Sequence, residues 1–171
     1  MKKIYIALTL VLCIILTGCG NDGTTVKKET DISNKVTEKV TNGNNTVKYS
    51  FNTNLYDITV EFKYDNKFTV EDKAIKNNYY SVFADVTDYK IEYFDEVSTV
   101  IPDNDKNFKI AGYDAIRMQD NLDNLTLLKI DANTVIYITA RSEGFYTTDE
   151  IVNDSDYQEL INNMKITVKK K

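Results

Sequence analysis

Most of the chain reads as alternation of apolar and polar positions. In Asp57–Tyr64, Ile58, Val60, Phe62 and Tyr64 fall on one side and Thr59, Glu61 and Lys63 on the other, which predicts a half-buried antiparallel strand. Asp65-Asn66 follows, a pair that tolerates the positive φ of a tight turn, and Lys67–Lys73 is expected to return as the partner strand. Tyr79–Val86 and Tyr89–Val97 predict a second hairpin around Thr87-Asp88. Phe108–Met118 predicts a further strand in which Gly112 marks a bulge or a close backbone approach. Leu125–Asp131 and Thr134–Arg141 form the clearest pair, joined through Ala132-Asn133. In its second member Val135, Tyr137 and Thr139 oppose Ile136, Ile138 and Ala140, so a central strand covered on both faces is expected.

Near the end the period changes. Tyr157, Leu160, Ile161 and Met164 stand at i, i+3, i+4 and i+7, one stripe of a helix. Asp156 followed by Glu159 gives a capping box at its start, and Thr147 with Glu150 gives a similar signal for a short preceding turn. Lys165–Val168 returns to alternation. The fold class expected is α+β: an antiparallel sheet of about six strands with a C-terminal helix packed on one face.

Two segments fall outside this pattern. Residues 20–46 hold no aromatic side chain and only scattered Val and Ile among Thr, Asn, Lys, Asp and Gly, too little apolar area to offset the entropy of ordering. They read as a disordered tether, with a marginal helix over Ser33–Val40 as the alternative. Ahead of them, Met1-Lys2-Lys3 precedes an uncharged run from Ile4 to Leu16. As a helix this run would measure about 20 Å, short of a bilayer core of about 30 Å, and its flanks match a secretory signal.

Leu16-Thr17-Gly18-Cys19 resembles the lipobox of bacterial lipoproteins. The resemblance implies that Cys19 receives a diacylglyceryl group, that cleavage falls just before it, and that palmitate-type chains hold the mature protein on the cell membrane, facing outward. Two chains matter, since one gives only marginal binding at about 0.8 kcal/mol per buried CH₂. The organisation expected is therefore a signal peptide over 1–18, a lipidated tether over 19–46 and one globular domain over 47–171. Cys13 leaves with the signal and Cys19 is alkylated, so no thiol remains for a disulfide, a metal site or redox chemistry.

Charge narrows the partners. The chain carries 21 basic and 26 acidic residues; loss of residues 1–18 removes two lysines and no acid, which leaves a formal −7. Such a chain is repelled by phosphate backbones, so nucleic acid is not an expected partner. The sequence holds no histidine, which removes Ser-His-Asp and Cys-His activation and the side chain best suited to proton transfer near neutrality. An enzyme is not expected, nor is a cofactor.

Two clusters are candidate sites. Asp103, Asp105 and Asn107 place oxygen side chains at alternate positions, with Asp114 at the twelfth place, as in calcium loops; but Phe108 occupies the sixth place, where glycine is needed. Tyr79, Tyr80 and Tyr93 are candidates for a ligand-binding aromatic groove, although Tyr79 and Tyr80 point to opposite faces if both lie in a strand.

The phrases FKYDNKFTV, KIAGYDAIRM and FYTTDEI followed by YQELINNMKITV resemble the PsbP-like domains of small bacterial lipoproteins, which implies a sheet of about six strands sandwiched by helices. The early phrase departs from that family in having Asp65 where a proline is usual. Taken together, the sequence points to a membrane-anchored, extracytoplasmic, non-catalytic binding module for an envelope protein or extracellular ligand. The alternative is an accessory solute- or ion-binding lipoprotein that serves a transporter.

Overall fold

A computed structural model describes residues 33–40, 45–87, 108–120, 123–144 and 146–171. In chain order the strands are β1 (Ser33–Lys39), β2 (Asn45–Asn52), β3 (Tyr56–Tyr64), β4 (Thr69–Glu71), β5 (Ala74–Lys76), β6 (Tyr80–Thr87), β7 (Phe108–Ile110), β8 (Tyr113–Asp120), β9 (Asp123–Lys129) and β10 (Val135–Ser142). Two short helices, α1 (Thr148–Asn153) and α2 (Ser155–Asn162), lead to β11 (Lys165–Lys170). The strands form two antiparallel sheets, one of four in the order β1-β2-β3-β11 and one of seven in the order β4-β5-β6-β10-β9-β8-β7. The described chain is thus mostly antiparallel β with a small C-terminal helical part. Among the described residues the expected single sheet of about six strands with one helix is corrected to two sheets and two helices.

The alternation of β3 is realised as expected, with Ile58, Val60, Phe62 and Tyr64 all buried. Its partner is not the following segment but β2 on one side and β11 on the other. At Asp65-Asn66 the Asp65 carbonyl accepts from Phe68 N–H at 3.3 Å and its side chain from Lys67 N–H at 2.9 Å. Phe68 then buries against Tyr80 with ring centroids 6.1 Å apart. Burying that ring carries the chain across to the other sheet, where it enters as β4.

Three further expectations are corrected. The stretch read as tether supplies β1 over Ser33–Lys39, paired with β2 from Ser33↔Asn52 to Lys39↔Thr46, and β2 itself begins at Asn45. Only Val36 of β1 packs on the core, so backbone pairing rather than burial holds this strand. Phe108–Met118 is not one bulged strand: Ala111 (φ 49°) and Gly112 (φ 90°) form a two-residue turn between β7 and β8. The cap of α2 is Asp154, not Asp156; Asp154 accepts from the N–H groups of Asp156 and Tyr157. Asp156 instead pairs with Lys67 at 2.5 Å. The Thr147–Glu150 capping box forms as expected and starts α1. The proposed strand Tyr89–Val97 lies outside the described residues.

The main core lies between the two sheets. Val47, Tyr49 and Phe51 from β2 and Val60 and Phe62 from β3 meet Val82 and Ala84 from β6 and Ile136 and Ile138 from β10. Ile151, Leu160 and Ile161 close it from the helices. The opposite face of the larger sheet carries a smaller cluster of Ile116, Leu127 and Val135. Both faces of β10 are therefore covered, as its sequence predicts.

Candidate functional site

The strand β5 accompanies β6 for only part of its length, pairing Ile75↔Val82 and Lys76↔Ser81. Before that, Asp72 (φ 48°) and Lys73 (φ 67°) turn the chain from β4 into β5. Two positive φ values in a row suit the twist of a hairpin, yet a residue with a Cβ pays roughly 1–2 kcal/mol in that conformation. The turn is tied down from the other sheet: Tyr49 Oη donates to the Lys73 carbonyl at 2.7 Å. Burial, and to a lesser degree the neighbouring Tyr64, pushes the Tyr49 phenol well above its usual pKa. It stays protonated at neutral pH and acts as a fixed donor.

Where β5 stops, β1 and β2 overhang the edge of β6, and Asn34 Nδ2 reaches toward Asp85 Oδ1 at 3.5 Å. The space enclosed is a cleft of about 460 Å³, within the size range of small-ligand sites. Val36, Tyr49 and Phe51 line it from the smaller sheet, and Phe83 and Ala84 from β6. Its charged lining consists of Lys73, Lys76 and Arg141 with Glu71, Asp72, Asp85 and Glu143. Two of the cations are engaged. Lys76 pairs with Glu143 at 3.5 Å. Arg141 makes a forked contact to Asp123, 2.8 Å from each nitrogen to each oxygen, and lies over the Phe83 ring at 5.8 Å. The Arg141 hydrogen bonds hold the Asp123 carboxyl below its usual range. What remains is Lys73 against Glu71, Asp72 and Asp85, so the mouth of the cleft is acidic.

The strained turn gives a direct check. Lys73→Gly is expected to raise stability by about 0.5–1 kcal/mol, the relief of left-handed strain less the extra entropy of the unfolded glycine chain. Tyr49→Phe is expected to lower it by about 1 kcal/mol through the lost hydrogen bond. Urea denaturation midpoints read both; equal midpoints for the Lys73→Gly and parent chains would mean that no strain is held there.

No family model, curated protein or solved structure matches this chain. Tyr79, 44% exposed, stacks on Tyr146 with centroids 4.6 Å apart and planes 13° from parallel. Tyr80 is at 0% exposure, and its hydroxyl donates to Asp154 at 2.8 Å. Tyr79 lies just before β6, so the condition for opposite faces is not met, and both rings pack near Tyr146; Tyr80 is corrected from a groove residue to a core residue. Tyr93, Asp103, Asp105, Asn107 and Cys19 lie outside the described residues. Asp114 is paired with Lys109 at 2.6 Å, and among the described residues no group of three or more acidic, Cys or His side chains is placed to hold a metal.

The cleft itself went unseen in the sequence. Tyr49 and Phe51 carry the signature of any core-facing pair. Asp72 tolerates positive φ, but Lys73 beside it is not a residue that marks a tight turn, and Arg141 stands 92 residues from Tyr49 in the chain.

Proposed function

We propose that this protein is an outward-facing lipoprotein, anchored through diacylglyceryl on Cys19, whose domain is a non-catalytic binding module for an envelope protein or extracellular ligand. The binding reading is carried by one observation: the cleft beneath β1 and β2, with an aromatic wall of Tyr49, Phe51 and Phe83 beside an acidic mouth. Aromatic wall and polar mouth together give area for affinity and charge for selection. The anchoring reading is supported by Leu16-Thr17-Gly18-Cys19 behind a short apolar run. An accessory role, handing a small cationic solute to a transporter, is the second reading, favoured by the volume of the same cleft. Kinship with PsbP-like domains is kept as a proposal on the quoted phrases and on the order of helix then last strand.

Cys19→Ala tests the anchor. In a bacterial host fed labelled palmitate, the parent chain is expected to take up label and to sediment with membranes until detergent is added. The variant is expected to take up none. Label retained by the variant, or a parent chain that never sediments, would remove the anchored reading. Crosslinking in intact envelopes with the full chain then tests the binding module, and recovery of no specific partner counts against it.

A further inference from the structure

The edge of β6 beyond Val82 has a backbone geometry of its own. Glu143 N–H donates to the Tyr79 carbonyl at 2.9 Å on the β10 side, while Asn77 N–H donates to the Tyr80 carbonyl at 3.1 Å on the β5 side. In an antiparallel ladder this assignment alternates. Odd residues of β6 therefore bond β10, in the register Ser81↔Arg141, Phe83↔Thr139 and Asp85↔Tyr137. Even residues direct N–H and C=O to the other side. For Val82 that side is filled by Ile75. For Ala84 and Val86 no strand stands there among the described residues, because β5 begins only after the Asp72-Lys73 turn.

These two residues are not at an open surface: Ala84 is 7% exposed and Val86 5%. Backbone donors and acceptors at such burial call for partners. The Val86 N–H has one in Asp85 Oδ1 at 2.8 Å, which blunts the far end of the edge as side chains do on protected edge strands. Ala84 N–H and C=O, with the Val86 C=O, still face the lane that β5 has left, and that lane runs through the cleft.

We propose that this lane accepts an added β-strand, an extended segment of a partner polypeptide in which apolar residues alternate with Lys or Arg. The proposal rests on the binding-module reading and specifies its partner. The alternation follows from the walls. A residue opposite Ala84 shares its face and points toward Tyr49 and Phe51, so it is apolar. Its neighbours share the face of Phe83 and Asp85, at the mouth where Glu71, Asp72 and Asp85 outnumber Lys73, so they are basic. Main-chain hydrogen bonds supply affinity and alternate side chains supply selection, as in other strand-addition complexes. The tied turn at Lys73 keeps β5 from growing into the lane.

Fluorescent eight-residue peptides alternating Val with Lys, or Val with Glu, are the probes, read by anisotropy against the full chain in detergent micelles. The Val-Lys peptide is expected to bind at least about tenfold more tightly than the Val-Glu peptide. N-methylation of alternate peptide amides is expected to abolish binding in one register and spare it in the other. Backbone amide exchange at Ala84 is expected to slow on binding. Asp85→Lys should weaken the Val-Lys peptide by about tenfold or more with an unchanged circular dichroism spectrum. Absence of saturable binding, or binding indifferent to N-methylation in both registers, overturns strand addition. An envelope protein still crosslinked by the Asp85→Lys chain would also overturn it, while leaving the binding-module reading in place.

Discussion

Tyr80→Ala is expected to destabilise the domain by about 3–5 kcal/mol, the range for removing a large aromatic ring from a packed core. The ring is fully buried and lies 6.1 Å from Phe68, 6.3 Å from Tyr146 and 6.2 Å from Tyr157. Its hydroxyl adds a second role. Asp154 Oδ1 accepts it at 2.8 Å and also accepts the N–H groups of Asp156 at 3.0 Å and Tyr157 at 3.1 Å. One carboxylate oxygen thus caps α2 and ties that cap to β6. Tyr80→Phe, which keeps the ring, is expected to lose about 1.5–3 kcal/mol, the range for a hydrogen bond to a charged group.

Against a typical total stability of about 5–15 kcal/mol, the alanine variant gives up a large fraction. Its melting temperature should fall by about 10–20 °C, with loss of near-ultraviolet ellipticity from the packed tyrosines. A loss under about 1 kcal/mol would contradict the core role and return Tyr80 to the list of surface candidates.

Alkaline pH is expected to unfold the protein cooperatively between about pH 10 and 12. Burial is the leading cause that raises the phenols of Tyr49, Tyr80 and Tyr157. Tyr64 is raised first by burial and then by its hydrogen bond to Glu38. In the unfolded chain all four titrate near 10. With folded values above unfolded ones, their contribution is complete below pH 10 and is lost as pH climbs from there toward the folded values. A phenol kept neutral costs about 1.4 kcal/mol for each pH unit above its free value, so several together rival the stability of a domain. Tyrosinate absorbance and far-ultraviolet ellipticity should change in one shared step. A smooth titration centred near pH 10 with ellipticity unchanged would show that these phenols ionise in the folded state.

What could be read in advance follows the physics of each element. β3, β9 and β10 declare themselves because one or both faces are buried, and burial writes alternation into the residues; in β11 the half-buried Ile166 and Val168 are enough to do so. The stripe of α2 is legible for the same reason. β1 is not, since an edge strand held by backbone pairing needs only Val36 to touch the core. The departure of β4 into the second sheet is invisible locally: Asp65-Asn66 suits a hairpin, and only the burial of Phe68 beside Tyr80 decides otherwise. The cap of α2 moved by two residues because Asp154 serves two donors at the helix start and a third from β6, and periodicity within the helix carries no record of that phenol.

The cleft is the least legible feature, because register alone assembles it. Positions 34–36, 49–51, 71–76, 81–85 and 141–143 come together only once the overhang of β1 and β2 and the early end of β5 are both in place. The overhang depends on no unusual residue type, and the early end of β5 rests on Lys73, whose positive φ nothing in its side chain announces.

The edge position of β1 also has a mechanical side. With the chain fixed to a membrane at Cys19 as proposed, any drag on the domain or on a bound partner is loaded first into β1 at Ser33. Force applied there meets the Ser33↔Asn52 end of the ladder first, and its component across the strands separates the pairs one after another. Asn34 and Val36, which roof the cleft, are among the first residues to lift. A pull on the anchor would therefore reach the roof of the site before it reached the core.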